Sequence, residues 1–241
     1  MTYCVATMID AGIVFASDSR TNAGVDNIST FRKMKIFERP GERALVIVNS
    51  GNLAVTQATI NHLEQDIRRN IEPNLMSVYS LYDVAELVGA ALRAVRDRDG
   101  PFLMENNVDG SANFIVGGQI AGEHQRLFLV YAEGNFIEAT AETPYFQIGE
   151  VKYGKPIIDR VIRADTSIDD AIKCVLVSFD STMRSNLTVG MPIDLTCYER
   201  DSMNIAHSHR FDERDPYMLS LRQTWGEGVR RAFAQLPRLE W

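Results

Sequence analysis

The residues of this chain that could carry chemistry are a threonine, an aspartate and a lysine near its amino end. Thr2 follows the initiator Met1, Asp18 ends an apolar stretch, and Lys33 lies in a short basic segment. A threonine at a chain terminus carries a hydroxyl nucleophile and, on the same residue, an α-amine that can act as its base. Asp18 and Lys33 could set the protonation states that such a pair needs. The sequence therefore predicts a hydrolytic site built on an N-terminal threonine.

This chemistry depends on removal of Met1. Methionine aminopeptidase removes Met before small residues, and threonine at position 2 qualifies. A terminal α-amine has an ordinary pKa of ~7.7–8.0, so much of it is neutral or easily made so near pH 7. If Met1 stayed in place, Thr2 would have no free amine and the chain should be inactive.

Composition excludes several function classes. The net charge is −7, from 25 basic and 32 acidic residues without a run of Lys or Arg, so no nucleic acid and no anionic membrane is expected as a partner. No apolar stretch approaches the roughly 20 residues that span a bilayer, and the first residues lack the pattern of a secretory signal. We expect a soluble globular protein that needs no cofactor.

Cysteine usage favours a reducing compartment. Cys4, Cys174 and Cys197 are odd in number and widely separated, so they form neither a disulfide framework nor a zinc pattern. The sequence therefore predicts a cytoplasmic protein. His207 and His209 could share one strand face as a metal pair, but no third ligand is in view and no metal site is predicted.

The hydrophobic pattern predicts strands and helices in separate runs. The order is four strands, two helices, four strands, two helices, two strands and one helix. Capping-box patterns at Ser80-x-x-Asp83 and Ser167-x-x-Asp170 mark two helix starts. The predicted strands are 2–9, 13–17, 33–37, 44–48, 113–120, 127–132, 136–139, 146–149, 193–198 and 203–207; the helices carry 53–67, 81–95, 156–163, 169–179 and 216–236.

This order of elements indicates an α+β fold. Runs of strands imply antiparallel sheets, because parallel sheets need single alternating crossovers. Helix pairs between groups of strands suit a layered sandwich with the helices outside two sheets. The chain shows no linker, repeat or low-complexity tract, so we expect a single domain over residues 1–241, closed by a C-terminal helix and tail at about 216–241.

The element order and three motifs resemble the proteasome β-subunit superfamily of N-terminal-nucleophile hydrolases. The opening 1–5 (MTYCV), the stretch 17–26 (SDSRTNAGVD) and the later 180–187 (DSTMRSNL) are similar to one bacterial branch, the Anbu or "ancestral β-subunit" family. The resemblance covers essentially the whole chain and is strongest over residues 2–51. It implies a four-layer αββα sandwich and a homo-oligomer in a ring or helical form.

The resemblance also assigns roles to single residues. Thr2 matches the mature terminal threonine of the family, Asp18 the aspartate of its Asp-Ser-Arg element, and Lys33 the lysine beside the threonine hydroxyl. Gly51 stands where the family has a glycine whose N–H points at the developing oxyanion. By the same analogy, side chains near Phe31 and Asn49 line the pocket for the residue that precedes the scissile bond.

The chain departs from the proteasome pattern at two places. Proteasome subunits carry a serine that assists the terminal amine, and here Glu150 follows the corresponding Ile148-Gly149. They also carry an Asp-x-x-Ser near the fourth helix. Asp180 fits its first position, but Met183 stands at the fourth, and Ser185 fits only with a shifted loop. Glu150, Asp180 and Ser185 are therefore supporting candidates.

Three interpretations remain open from the sequence. The first is a self-assembling threonine hydrolase that acts on peptides or a peptide-like amide. The second is a non-catalytic scaffold of the same fold, which Asp18 and Lys33 disfavour. The third is an assembly protein with a vestigial site, which Glu150 favours. The sequence identifies neither the substrate nor an ATP-dependent unfoldase partner.

Overall fold

The computed structural model describes residues 1–22, 28–205 and 207–241. Two predictions extend beyond these ranges. Positions 23–26 of the motif 17–26, and residue 206 of the predicted strand 203–207, lie outside the described residues.

Twelve strands and five helices make up the described fold. The strands are β1 Tyr3–Ile9, β2 Gly12–Asp18, β3 Arg20–Asn22, β4 Ile28–Thr30, β5 Met34–Arg39, β6 Arg43–Gly51, β7 Ala112–Ile120, β8 Arg126–Val130, β9 Phe136–Glu138, β10 Tyr145–Gly149, β11 Ile193–Glu199 and β12 His207–Phe211. The helices are α1 Leu53–Arg69, α2 Leu81–Glu105, α3 Lys155–Val161, α4 Ile168–Ser185 and α5 Pro216–Ala234.

Two five-stranded antiparallel sheets form the centre of the fold. One has the order β10-β1-β2-β11-β12 and the other β5-β6-β7-β8-β9. An apolar cluster that includes Phe15 of one sheet and Val46 of the other lies between them. A second cluster joins β6–β8 to α1 and α2, and a third joins β1, β2 and β11 to α3, α4 and α5. The predicted four-layer αββα sandwich is therefore confirmed.

Both predicted capping boxes are present. Ser80 Oγ accepts a hydrogen bond from the Asp83 N–H at 3.0 Å, and Ser167 Oγ accepts one from the Asp170 N–H at 3.1 Å. These bonds satisfy N–H groups that have no partner within their own helix. The sequence therefore placed the starts of α2 and α4 correctly.

Two helices are longer than predicted, since α2 continues past 95 to Glu105 and α4 past 179 to Ser185. The strands differ in two places. The last strand is His207–Phe211 and not 203–207, because Phe211 pairs with Ile193 and His207 with Cys197 along β11. Residues 200 and 201 form a turn, and next to it Ser202 Oγ donates to the Glu199 carbonyl at 2.6 Å. The short hairpin β3–β4 was not predicted, because three-residue strands are too short to show an alternating pattern.

Strand register brings distant parts of the chain together at the start of β1. Cys4 pairs with Ser17 of β2, so the end of β2 lies beside the first residues of the chain. Tyr3 pairs with Gly149 of β10 on the other side. Thr2 is therefore held between the ends of two neighbouring strands.

Candidate active site

Backbone contacts fix Thr2 from both sides. Its carbonyl accepts a hydrogen bond from the Glu150 N–H at 2.7 Å. The next N–H, that of Tyr3, donates to Asp18 Oδ1 at 3.1 Å. Gly149 allows this approach, because a Cβ at that position would lie 1.9 Å from the Thr2 carbonyl oxygen. Thr2 therefore has a defined position before β1 begins.

Lys33 connects the predicted site residues. Its Nζ donates to Thr2 Oγ1 at 2.6 Å, to Asp18 Oδ1 at 2.8 Å and to the Arg20 carbonyl at 2.6 Å. An ammonium has three donors, so these acceptors use all of them. Since Lys33 donates to the hydroxyl oxygen, the hydroxyl proton of Thr2 is free to leave in another direction.

Asp18 is the buried anion of this cluster. Its side chain is 0% exposed and that of Lys33 is 5% exposed. Burial raises the pKa of the Asp18 carboxyl above its ordinary value, against the Lys33 ammonium and the backbone amides of Tyr3 and Gly190, which lower it. Within the described ranges Asp18 Oδ2 has no hydrogen-bond partner. The Lys33 pair is thus the main compensation for this buried charge.

The amino terminus lies within the electrostatic reach of the same residues. In this chain the terminal amine belongs to Met1, whose side chain is exposed. Burial, and after it the Lys33 ammonium, lowers the pKa of that amine, while Asp18 and Glu150 raise it in part. The surroundings therefore favour a neutral amine at the start of the chain.

Gly51 is the last residue of β6, directly before Asn52, the N-cap residue of α1. Its φ is +112°, and a Cβ there would lie 2.2 Å from the Ser111 carbonyl oxygen. Only glycine fits this close approach of β7. The positive end of the α1 dipole follows at once, which favours negative charge beside this turn.

Glu150 is buried beside Thr2 and has a partner that the sequence did not reveal. Its Oε2 accepts a hydrogen bond from Asn186 Nδ2 at 2.6 Å, and its Oε1 lies 3.3 Å from Lys152 Nζ. Asn186 directly follows Ser185, the last residue of α4. In the sequence, the one hint of this role was the position of Asn186 directly after the candidate Ser185.

The other two supporting candidates do not join the cluster. Asp180 is buried, and its carboxylate pairs with Arg184 at 3.0 Å and with Arg222 of α5 at 3.0 Å. It therefore ties α4 to α5. Ser185 is exposed, and the structure gives its hydroxyl no hydrogen bond within residues 1–22, 28–205 and 207–241.

The two histidines considered as a metal pair each lie beside one carboxylate, and the cysteines are buried. His207 Nε2 lies 3.4 Å from Glu199, and His209 Nε2 lies 3.0 Å from Asp215. In the described part of the chain no group of three or more His, Cys, Asp or Glu could hold a metal ion. The cysteines are free and buried.

None of the described helices is both long and apolar enough to cross a membrane.

Several solved structures are similar to this chain along its whole length. Anbu (ancestral beta-subunit) from Yersinia bercovieri has a TM-score of 0.93 at 51% identity, covering 99% of this chain and 100% of that one. An Anbu (Gly-1) mutant from Hyphomicrobium sp. strain MC1 has a TM-score of 0.94 at 45% identity, with 100% of both chains covered. The helical assembly of the Anbu complex from Pseudomonas aeruginosa has a TM-score of 0.94 at 50% identity, covering 99% of this chain and 98% of that one. No protein-family model and no curated protein matches the chain.

Proposed function

This chain belongs to the Anbu (ancestral beta-subunit) family, and we propose that it is an N-terminal threonine hydrolase that cleaves peptide or peptide-like amide bonds. The observation that carries the proposal is the position of the Lys33 ammonium, 2.6 Å from Thr2 Oγ1 and 2.8 Å from Asp18 Oδ1. A cation at this distance stabilises negative charge on the hydroxyl oxygen. Thr2 is therefore the nucleophile of the proposed reaction.

Activation of the nucleophile requires the free terminus. Once Met1 is removed, the α-amine and the hydroxyl belong to the same residue, so covalent geometry keeps the base beside the proton it takes. The Lys33 ammonium lies 2.6 Å from Thr2 Oγ1, so it disfavours a second positive charge on that amine. The neutral amine accepts the Oγ proton as Oγ attacks.

The acyl transfer then follows in two steps. Thr2 Oγ adds to the substrate carbonyl carbon, and the Gly51 N–H stabilises the resulting oxyanion, a contribution of roughly 3–4 kcal/mol for such a donor. Collapse of this intermediate breaks the C–N bond, and the amine of Thr2 passes its proton to the leaving nitrogen. Water then adds to the acyl-ester, the acid is released, and Oγ recovers its proton.

Intact mass spectrometry of the untagged protein tests this proposal. The protein is measured before and after incubation with a threonine-reactive peptide epoxyketone, and a Thr2→Ala variant is the matched control. We expect loss of Met1 and one covalent adduct, which the Thr2→Ala variant does not form.

Two results would contradict the proposal. A chain that keeps Met1 has no free amine on Thr2, and a processed chain that never takes up the label has no working nucleophile. Either result would favour the scaffold or vestigial-site interpretation, which Glu150 in place of a serine already motivates.

We also propose that the chain assembles with copies of itself. The C-terminal segment exposes Trp225, Val229, Phe233 and Leu236, spaced at three and four residues, followed by an exposed Trp241. An apolar stripe of this kind on a helix is typical of a docking face. The relative from Pseudomonas aeruginosa is known as a helical assembly.

Analytical ultracentrifugation tests the assembly. The full chain should sediment as a multimer, and Phe233→Glu should shift it toward smaller species, whereas Tyr79→Glu, at an exposed position just before α2, serves as a control of equal charge change. A monomeric wild-type chain would refute the proposal.

A single domain over residues 1–241 is a further proposal. The cluster between the sheets draws residues from segments as distant as Cys4, Ile115 and Tyr198. Segments that share one core should unfold together. Limited proteolysis that released a stable internal fragment would contradict this.

A further inference from the structure

A cavity of about 340 Å³ lies between helix α1 and the segment 31–35, the segment that also carries the Lys33 in contact with Thr2. Asn49 lines it, and its backbone N–H and Nδ2 both donate to the Lys33 carbonyl at 3.0 Å. Cys4 Sγ, two residues after Thr2, donates to the Asn49 carbonyl at 3.3 Å. The wall of the cavity is thus bonded directly to the strands that hold Lys33 and Thr2.

The charged side chains that line this cavity are basic. Arg32 and Lys35 line it, and none of its described lining residues is acidic, although the chain as a whole carries a net charge of −7. Lys35 Nζ is held at 2.8 Å by Glu64, which stands outside the lining. Arg32 is exposed, and the structure shows no ion pair or hydrogen bond of its guanidinium within the described ranges. The cavity therefore offers a positive potential to whatever enters it.

The remaining lining suits a short alkyl chain with a polar end. Leu53 and Ile60 of α1 contribute apolar surface, with Ile60 buried. Gln57 and Asn61, four residues apart on α1, add amide donors at the exposed rim. A side chain with one or two methylenes and a terminal carboxylate matches both parts.

We infer that this cavity takes an acidic side chain, glutamate or aspartate, from the substrate residue that supplies the acyl group. The inference rests on the proposed function, because it specifies the substrate of the same nucleophile. Arg32 is its main specificity-determining residue, since a guanidinium binds a carboxylate through two parallel hydrogen bonds. The charge of Lys35 is compensated by Glu64, so Arg32 supplies the net positive charge of the lining.

The test compares three peptide epoxyketones that differ only in the residue next to the reactive group, which is glutamate, glutamine or leucine. The rate of adduct formation on Thr2 is followed by intact mass at low ionic strength. We expect the glutamate probe to react about fivefold to tenfold faster than the isosteric glutamine probe, as for a partly exposed charge pair. Added salt should reduce this ratio.

Variants separate the cavity from general electrostatics. Arg32→Gln and Lys35→Gln should each reduce the preference for glutamate, with Arg32→Gln bringing the ratio close to one. Arg69→Gln removes a positive charge at an exposed position at the far end of α1. Because Arg69 does not line the cavity, this variant should leave the preference for glutamate unchanged. Thermal unfolding shows whether each variant is folded.

The outcomes distinguish the inference from the proposed function. If the glutamine or leucine probe labels Thr2 as fast as the glutamate probe, the acidic specificity is wrong while the threonine nucleophile stands. An unchanged preference in Arg32→Gln would also overturn the assigned role of Arg32. If no probe labels the processed chain, the proposed function fails, and the inference fails with it.

Discussion

Replacing Lys33 by methionine removes the cation from a buried ion pair and leaves the Asp18 carboxylate without its partner. The pair joins Nζ and Oδ1 at 2.8 Å, with the side chains 5% and 0% exposed. Removing one partner of such a pair costs about 3–5 kcal/mol, because the other charge stays buried. Asp18 can escape part of this cost by binding a proton, so we expect a loss of about 3 kcal/mol at pH 7. For a chain of this length that corresponds to about 6–12 °C in Tm.

The cost of this substitution should depend on pH. Burial raises the pKa of Asp18, and the Lys33 ammonium opposes that rise, so in the variant the folded-state pKa rises further. A carboxyl whose folded-state pKa is raised contributes stability below its unfolded-state pKa of about 3.9, and loses it as the pH rises toward the folded-state value. Lys33→Met should therefore be less destabilised at pH 5 than at pH 8.

Urea unfolding measures the effect, with the free energy taken by linear extrapolation. The protomer concentration is held constant, because assembly makes the apparent stability depend on it. Lys35→Met is the matched control: its pair with Glu64 is partly exposed, so its loss should cost no more than about 1 kcal/mol. The double variant Lys33→Met/Asp18→Asn should regain more than about 1 kcal/mol, since no buried carboxylate remains. A double variant as unstable as Lys33→Met, or a Lys33→Met no worse than the control, would refute the reasoning.

Three further predictions concern the surroundings of Thr2. Glu150→Gln removes a buried carboxylate next to Thr2, and because a nearby negative charge raises the pKa of an amine, the rise of Thr2 labelling with pH should move to lower pH; a profile that stays in place would count against this role. Gly51→Ala should lose about 1–3 kcal/mol more stability in thermal unfolding than Gly41→Ala. Both glycines have positive φ, but only at Gly51 would the new Cβ meet backbone atoms, so equal losses would contradict the prediction. Asp180→Ala should cost about 1–3 kcal/mol by releasing two arginines, yet leave the labelling rate of Thr2 within about twofold; a large fall in that rate would place Asp180 in the site.

The elements that the sequence predicted well carry strong local signals. Nearly continuous apolar runs marked β1 and β2, and side-chain caps at Ser80 and Ser167 marked two helix starts. The last strand was misplaced, because its position depends on the pairing of Phe211 with Ile193 and not on local composition. Register between strands is a long-range property, which a pattern along one segment does not contain.

The candidate site also contains residues that the sequence predicts and one that it does not. Thr2, Asp18 and Lys33 are predictable from the sequence, because their residue types and motifs point to nucleophilic chemistry. Asn186 was missed, although it holds Glu150 at 2.6 Å, because an asparagine after a helix is an ordinary feature of a sequence.

Local patterning thus dictated the order of strands and helices and singled out the proposed nucleophile and its neighbours, since both are written in residue types and short motifs. Tertiary packing decided which charges meet. It paired Asp180 with Arg222 of α5, and it placed Arg32 and Lys35 at one cavity next to α1. The physical reason is that the energy of a charge depends on what surrounds it in space, and those neighbours come from strands and helices far apart in the chain.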